Sequence, residues 1–178
     1  LQNPASYGIT LASTMFAIPN SPGGCVDNSP QLLQEPYFVS CVGDQYEYNM
    51  NPVDIDLDSI SVSFEQPMDR ILGATYNPPS DPIPVPYEPS FSVNSPTPGT
   101  GMNAGNVSAN VDPLSGNLTF LSNNAGNFAI KVVTRSYRQG VLIAEVEREM
   151  QLIVANCSGT NTAPDVNGPF AGAFEITV

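Results

Sequence analysis

The sequence contains no histidine and no tryptophan, and only five of its 178 residues are lysine or arginine. Without histidine, the chain lacks the commonest general base and the usual ligand of zinc and copper. Its 17 acidic residues give a net charge of −12, which repels the phosphate backbone of nucleic acids. We therefore expect no enzymatic activity and no nucleic-acid partner. The acidic balance instead favours divalent cations, which prefer oxygen ligands.

The chain also lacks the run of about 20 apolar residues that a membrane-spanning helix needs. Its first residues, Leu1–Pro4, have neither the basic start nor the apolar run of a signal peptide. The sequence therefore predicts a mature fragment that does not insert into a membrane. Its lysine-poor composition, rich in Asn, Ser, Thr and Pro, is typical of extracellular proteins at the bacterial cell surface. Apolar residues make up 41% of it, enough for a folded core.

The hydrophobic pattern has the period of strands, not of helices. Residues 59–64 alternate polar and apolar, which predicts a strand with one face on a core. A longer alternating run follows Gly140, and Arg148 interrupts its apolar face, so we expect a bulge there or an inward arginine with a carboxylate partner. The opposite face carries the glutamates at 145, 147 and 149 and is expected to be solvated. Its apolar face consists of Leu142, Ala144, Val146, Met150, Leu152 and Val154.

Further strands and turns complete an all-β pattern. Residues 127–134 are expected to form a hairpin with the long run, across a turn at 137–140. Shorter strands are predicted at 45–49, 90–93, 107–111 and 117–121. Short strands with turn signals between them indicate an antiparallel β-sandwich. Its predicted core comprises Ile60, Val62, Phe64, Phe128, Ile130, Val132, Val146, Met150 and Leu152.

Half of the 18 prolines lie between residues 67 and 98. Proline removes a backbone donor and fixes φ, so a central strand is excluded there. The segment is predicted to be a long ordered loop or a cover over a sheet edge.

Two stretches about 130 residues apart resemble each other. Each has a cysteine, a short polar linker ending in proline, and then an aromatic start of a strand; they begin at Cys25 and Cys157. The repetition predicts one whole unit over residues 25–157. Residues 1–24 would then be the end of a preceding repeat or an N-terminal strand, and residues 158–178 a linker and the first strand of the next repeat.

Seven short motifs occur in a fixed order along the chain. They are Asn28-Ser29-Pro30, Cys41-Val42-Gly43, Tyr48-Asn49, Asp54 to Ile60, Val85-Pro86-Tyr87, Asp112 to Thr119 and Tyr137 to Ile143. Their order resembles the repeats of giant gliding-motility-associated surface adhesins of the Bacteroidetes, which the type IX secretion system exports. Those repeats are similar to cadherin-like and polycystic-kidney-disease-type immunoglobulin domains, so the resemblance implies an immunoglobulin-like sandwich at the bacterial cell surface.

Asp54, Asp56 and Asp58 alternate along the chain, which in an extended segment places three carboxylates on one side. Their mutual repulsion favours a bound cation. The resemblance implies calcium as that cation, with Asp27 and Asn28 of the linker as further ligands. The family has a glycine where this chain has Leu57.

Cys25, Cys41 and Cys157 are an odd number of cysteines for a secreted chain. If Cys25 and Cys157 are equivalent positions of consecutive units, each pairs with the cysteine after the first strand of its own unit. We therefore predict a disulfide between Cys25 and Cys41. The alternative is a Cys41–Cys157 bond.

The leading hypothesis is a structural and adhesive repeat that contacts adjacent repeats of the same chain or filament. One alternative is a carbohydrate-binding module that stacks surface glycans on Tyr76 and Tyr87. Another is a filament subunit whose apolar tail, residues 170–178, completes a neighbour's sheet. Asp58-Ser59-Ile60 also resembles the O-glycosylation pattern of the Bacteroidetes, which makes Ser59 a candidate glycosylation site.

Overall fold

The computed structural model describes residues 10–17, 27–36, 39–69, 74–78, 80 and 82–157. Within these ranges every regular element is a strand, and no helix with the length and apolar character of a membrane span occurs. The strands are β1 (Ser13–Met15), β2 (Gln31–Leu32), β3 (Val39–Cys41), β4 (Gln45–Asn49), β5 (Pro52–Val53), β6 (Ser59–Phe64), β7 (Met68–Asp69), β8 (Ile83–Pro84), β9 (Val107–Val111), β10 (Asn117–Leu121), β11 (Gly126–Arg138) and β12 (Val141–Ala155).

Two sheets carry most of these strands. The larger has the order β1-β12-β11-β6, and β3 also pairs with β12. The smaller has the order β4-β10-β9. All pairings in both sheets are antiparallel except that of β3 with β12, which is parallel. The all-β prediction is confirmed, and the sheets are antiparallel apart from this one pairing.

The inner faces of the two sheets meet in one apolar core. The larger sheet contributes Val62, Ile130, Val132, Met150, Leu152 and Val154, and the smaller contributes Tyr46, Tyr48, Ala109, Leu118 and Phe120. Of the nine predicted core residues, Val62, Ile130, Val132, Met150 and Leu152 are buried. Ile60, Phe64 and Phe128 are partly buried against this core, and Val146 is partly exposed.

The predicted hairpin of the long strands is confirmed. Arg138 pairs with Val141, so Gln139 and Gly140 form a two-residue turn. Both have positive φ, 53° and 80°, as the type I′ turn of a tight hairpin requires. The register shift of this ladder lies between Ser136 and Tyr137, not at Arg148 as expected.

Arg148 does lie on the core side, opposite Val132, but its partners differ from the prediction. Its guanidinium donates to the carbonyl oxygens of Leu32 and Gln34, each at 2.8 Å. Main-chain carbonyls therefore take the place of the expected carboxylate. The contact ties the segment around β2 to the middle of β12.

The outer face of the larger sheet is partly covered, and its glutamates are half-buried, which corrects the prediction of a solvated glutamate face. Lys131, the only lysine, is fully buried there, with its Nζ 2.8 Å from Oε2 of Glu147. Glu145 bonds Arg135 at 2.6 Å. Burial raises the pKa of Glu149, and the nearby charge of Asp69 adds to this rise.

The proline-rich segment supplies part of this cover. Strands β7 and β8 of this segment pair with each other. Val85, which directly follows β8, is buried. The predicted strand at 90–93 is wrong. Ser90 has a φ of 76°, and the structure has only an isolated bridge between Ser92 and Ser95. Left-handed backbone at Ser90 interrupts an extended strand.

The N-terminal strand β1 belongs to the same sheet as β12, where Ser13 pairs with Val146. Residues 1–24 were expected to be either the end of a preceding repeat or an N-terminal strand. An N-terminal strand would pair in the way that β1 pairs with β12. The structure therefore extends to the N-terminal side of residue 25. The unit limits at 25 and 157 stay a prediction, because Cys25 and residues 158–178 lie outside the described residues.

The predicted disulfide between Cys25 and Cys41 is wrong. Cys41 bonds Cys157, with a Cα–Cα distance of 5.5 Å. Parallel pairing of β3 with the end of β12 places Cys41 opposite Ala155, two residues before Cys157. The inference failed because it assigned partners from the repeated linker, whereas this long-range pairing decides which thiols meet.

Reducing the Cys41–Cys157 bond is expected to lower the free energy of unfolding by about 4 kcal/mol, because the bond closes a loop of more than 100 residues in the unfolded chain. Denaturant unfolding with and without reductant measures the loss. In a non-reduced digest, Cys25→Ser should keep the peptide that links Cys41 to Cys157, and Cys41→Ser should remove it. A peptide joining Cys25 to Cys41 would contradict the assignment.

Candidate metal centre

The acidic segment 54–58 forms a compact turn before β6. Oδ1 of Asp54 accepts the backbone N–H groups of Asp56 at 2.9 Å and Asp58 at 3.3 Å. Its carbonyl oxygen accepts the N–H of Leu57 at 3.3 Å. Aspartate side chains commonly close turns on the following backbone in this way. The segment is therefore not the extended stretch that its alternation predicts, and its three carboxylates point to different partners.

Asp56 binds the segment that precedes β2. Its Oδ2 accepts the backbone N–H of Asn28 at 2.7 Å, and the Asn28 side-chain amide lies 3.2 Å from both carboxylate oxygens. These hydrogen bonds favour the charged carboxylate, so they lower the pKa of Asp56. The contact brings Asn28 and Asp56 together, 28 positions apart in the chain; their role as metal ligands stays a prediction.

Arg138 joins Asp58 to Asp27. Its Nε donates to Oδ1 of Asp58 at 2.9 Å, and its Nη2 donates to Oδ2 of Asp58 at 2.5 Å and to Oδ1 of Asp27 at 2.8 Å. Two parallel bonds to one carboxylate are the strong form of this interaction. The Asp58 and Asp27 side chains are almost completely buried, with 6% and 4% of their surface exposed.

Sheet register explains why these groups meet. Tyr137 of β11 pairs with Ser59 of β6, so Arg138 and Asp58 lie beside each other at the ends of neighbouring strands. The hairpin turn at Gln139 and Gly140 then leaves the Arg138 side chain at the end of the sheet. Sequence reasoning missed Arg138, although it lies in one of the family-like motifs. The β6–β11 pairing is the signal that would have identified it.

Negative charge exceeds positive charge at this site. The guanidinium of Arg138 lies 2.8 Å from Asp27, 3.9 Å from Asp56 and 2.5 Å from Asp58, and Asp54 lies near Asp27. Burial raises the pKa of Asp27; Arg138 opposes this rise, and the charges of the other three aspartates add to it. Among the described residues, the four carboxylates thus outnumber the one cation that holds them together.

Three carboxylate oxygens of the site lie close enough together to contact one metal ion, although both oxygens of Asp58 already accept from Arg138. Asp27, Asp56 and Asp58 each offer a carboxylate oxygen, and the three oxygens lie within 4.8 Å of one another. Calcium binds carboxylate oxygens at about 2.3–2.6 Å, so ligands on opposite sides of the ion lie about 5 Å apart. Oδ2 of Asp27 and Oδ2 of Asp54 are buried and accept no hydrogen bond from any residue in the described ranges. Buried oxygens of this kind are normally satisfied by protein, water or an ion.

The structure thus brings Asp27, Asn28, Asp56 and Asp58 together. Asp54 lies beside them and uses Oδ1 to shape the turn, with Oδ2 left over. We refer to Asp27, Asn28, Asp54, Asp56, Asp58 and Arg138 as the aspartate cluster.

The other candidate residues are dispersed. Ser59 is exposed at the first position of β6, and its glycosylation stays a prediction. Tyr76 is 47% exposed, whereas Tyr87 is half-buried, and burial raises its pKa to about 12. Tyr87 lines a pocket of about 140 Å³ with Phe91 and Phe128. The apolar tail at 170–178 lies outside the described residues.

Comparisons with models of protein families, with curated proteins and with solved structures found no match to this chain.

Leu57→Gly is expected to stabilise the fold by about 1 kcal/mol. Leu57 has a φ of 64° and a side chain that is 91% exposed. Left-handed backbone costs free energy at a non-glycine residue, and the exposed side chain gains no burial that would offset this cost. Glycine adopts this φ freely. Denaturant unfolding of the two proteins measures the difference. Ile55→Gly is the matched control: it removes an exposed apolar residue from the same turn without positive φ, and it should not stabilise. Equal effects of the two changes would contradict this account.

Proposed function

We propose that this chain is a structural and adhesive repeat of a secreted protein at the bacterial cell surface, with an immunoglobulin-like fold that calcium and a disulfide stiffen. The observation that carries the proposal is the aspartate cluster, in which, among the described residues, carboxylates outnumber cations and two buried oxygens accept no hydrogen bond. The two antiparallel sheets around one core support the immunoglobulin-like assignment.

Cross-links at the two ends of β12 support a role in stiffness. At its start, Arg138 connects the β11–β12 turn to Asp58 before β6 and to Asp27 before β2. At its end, the disulfide connects Cys157 to Cys41 of β3. Polar and covalent ties of this kind restrict the motion of an element at both ends. A repeat in a long surface filament needs this restricted motion so that each unit keeps a fixed position relative to the next.

Calcium is the cation that this proposal assigns to the aspartate cluster. Asp27, Asp56 and Asp58 would bind it, and Asp54 would lie beside them and hold the turn in shape. The ion would supply positive charge that Arg138 alone does not balance, and it would hold the residues before β2 against the turn before β6. Hard oxygen ligands without histidine or thiolate are the donor set of calcium.

Adjacent repeats of the same chain or filament are the proposed partners, and surface glycans are a further class. The pocket lined by Tyr87, Glu88 and Phe91 is the described surface that favours a glycan, because it combines aromatic and carboxylate groups. A glycan array with the intact chain tests this second role. Glycan binding that persists after calcium is removed would place the glycan site away from the aspartate cluster.

Calcium at millimolar concentration is expected to raise the melting temperature. An ion that binds only the folded state stabilises it by about 2.7 kcal/mol at 100 times its dissociation constant. Melting curves in calcium and in chelator measure the effect. Asp56→Asn should reduce the calcium response, whereas Asp112→Asn, a control with the same charge change in a turn outside the cluster, should retain it. Equal curves for the intact chain with and without calcium would remove the ion from this account.

The calcium-induced rise in melting temperature should decrease as the pH falls from 7 towards 4. Protons compete with calcium for Asp27, whose pKa lies above the usual 3.8 because the side chain is buried. Without calcium, the contribution of Asp27 to the free energy of unfolding changes with pH in the opposite direction. Its raised pKa stabilises the folded state at low pH, and this stabilisation is lost as the pH rises through the folded-state pKa. Melting curves at several pH values, in calcium and in chelator, test both signs. A calcium response independent of pH would argue against Asp27 as a ligand.

A further inference from the structure

The Cys41–Cys157 disulfide closes a covalent loop that contains most of the fold. Its cysteines are 116 positions apart, and the loop between them includes every strand from β4 to β12. Both sheets therefore lie inside the loop, apart from β1 and β3 at the edge of the larger sheet. The chain continues on both sides, through residues 1–40 and 158–178.

We infer that this disulfide prevents tension along the chain from extending residues 42–156. Contacts between the N-terminal segment and the sandwich carry the load until they break. The pull then follows a covalent load path, through the backbone to Cys41, across the sulfur–sulfur bond to Cys157, and onward. The covalent bond fixes the ends of the loop together, so tension cannot extend the backbone within it. This inference deepens the proposed function as a surface repeat and rests on it for its biological setting.

Among the described residues outside the loop, those from residue 10 to Cys41 can still be extended. Strand β1 pairs with residues 144–146 of β12. Asp27 accepts a hydrogen bond from Arg138, and Asn28 donates to Asp56. Further along, the carbonyls of Leu32 and Gln34 accept from Arg148. Each of these contacts joins a residue outside the covalent loop to one inside it, so each must break before the N-terminal segment detaches.

The Asp27–Arg138 bond is the contact of this set that joins two charged groups, and it is largely buried on the Asp27 side. Hydrogen bonds with an ionised partner are about twice as strong as neutral ones, and in this bond both partners are ionised. The aspartate cluster therefore lies where a clamp is mechanically useful, at the junction between the N-terminal segment and the sandwich. Calcium bound by Asp27, Asp56 and Asp58 would strengthen that same junction, since Asp27 lies outside the loop and the other two lie inside it.

Stretching single molecules of the full chain, tethered at their two termini, tests the inference. With the disulfide intact, the N-terminal segment should detach with a gain of no more than about 110 Å, and the sandwich should contribute no extension. The double variant Cys41→Ser and Cys157→Ser, or the intact chain treated with a phosphine reductant, should gain about 400 Å more, because the 116-position loop can then extend. A gain of that size in the non-reduced chain would overturn the inference.

Comparing Arg138→Gln with Arg135→Gln distinguishes loss of the Asp27–Arg138 clamp from a general loss of stability. The two arginines have similar exposure, 29% and 27%. Arg138 reaches Asp27 outside the loop, whereas the bonds of Arg135 to Ser63, Glu65 and Glu145 all lie inside it. In the non-reduced chain, Arg138→Gln should lower the force of the N-terminal detachment step, and Arg135→Gln should leave it unchanged. An equal fall for both variants would show that the aspartate cluster is not the clamp.

The same measurement with calcium and with chelator distinguishes the inference from the proposed function. If extension stays limited by the disulfide but calcium changes neither force nor melting temperature, the calcium role fails and the load path stands. If calcium raises the melting temperature but the non-reduced chain still gains about 400 Å, the load path fails and the calcium role stands.

Discussion

The ladder between β11 and β12 is the feature on which the rest of the structure depends. These strands of 13 and 15 residues pair along almost their whole length, and β6, β1 and β3 all attach to them. One face of the ladder supplies the core residues Ile130, Val132, Met150 and Leu152. A long hairpin with a two-residue turn has few alternative registers, because a slip of one residue would move its whole apolar face to the other side of the sheet.

Charged residues stabilise the ends and the outer face of this ladder. At the turn, Arg138 binds Asp27 and Asp58. On the outer face, Lys131 lies against Glu147, and Arg135 bonds Glu65 and Glu145. Burial of such groups is costly unless each has a partner. Three of the chain's five basic residues are thus engaged by carboxylates of the described structure, which is a consequence of its strongly acidic composition.

The aspartate cluster and the disulfide share one structural consequence. Each joins a segment near the N-terminal side of the fold to the ladder, the first through Asp27 and the second through Cys41. The turn before β6 adds Asp56 and Asp58 to the first junction. A cation at the cluster and the sulfur bond at the far end of β12 would thus hold the same N-terminal segment at two separate points.

The sequence alone determined the strand character of the chain, the long hairpin and five of the core residues, because alternation along a strand is a local property. It also indicated that Asp27, Asn28, Asp56 and Asp58 belong together, although that inference came from a family resemblance. Only the tertiary structure decided that Cys41 bonds Cys157 and that Arg138 lies among the aspartates. It also showed that the glutamate face of β12 is partly covered. Each of these depends on which strands become neighbours, and that choice is made by packing between segments far apart in the chain, which no local pattern encodes.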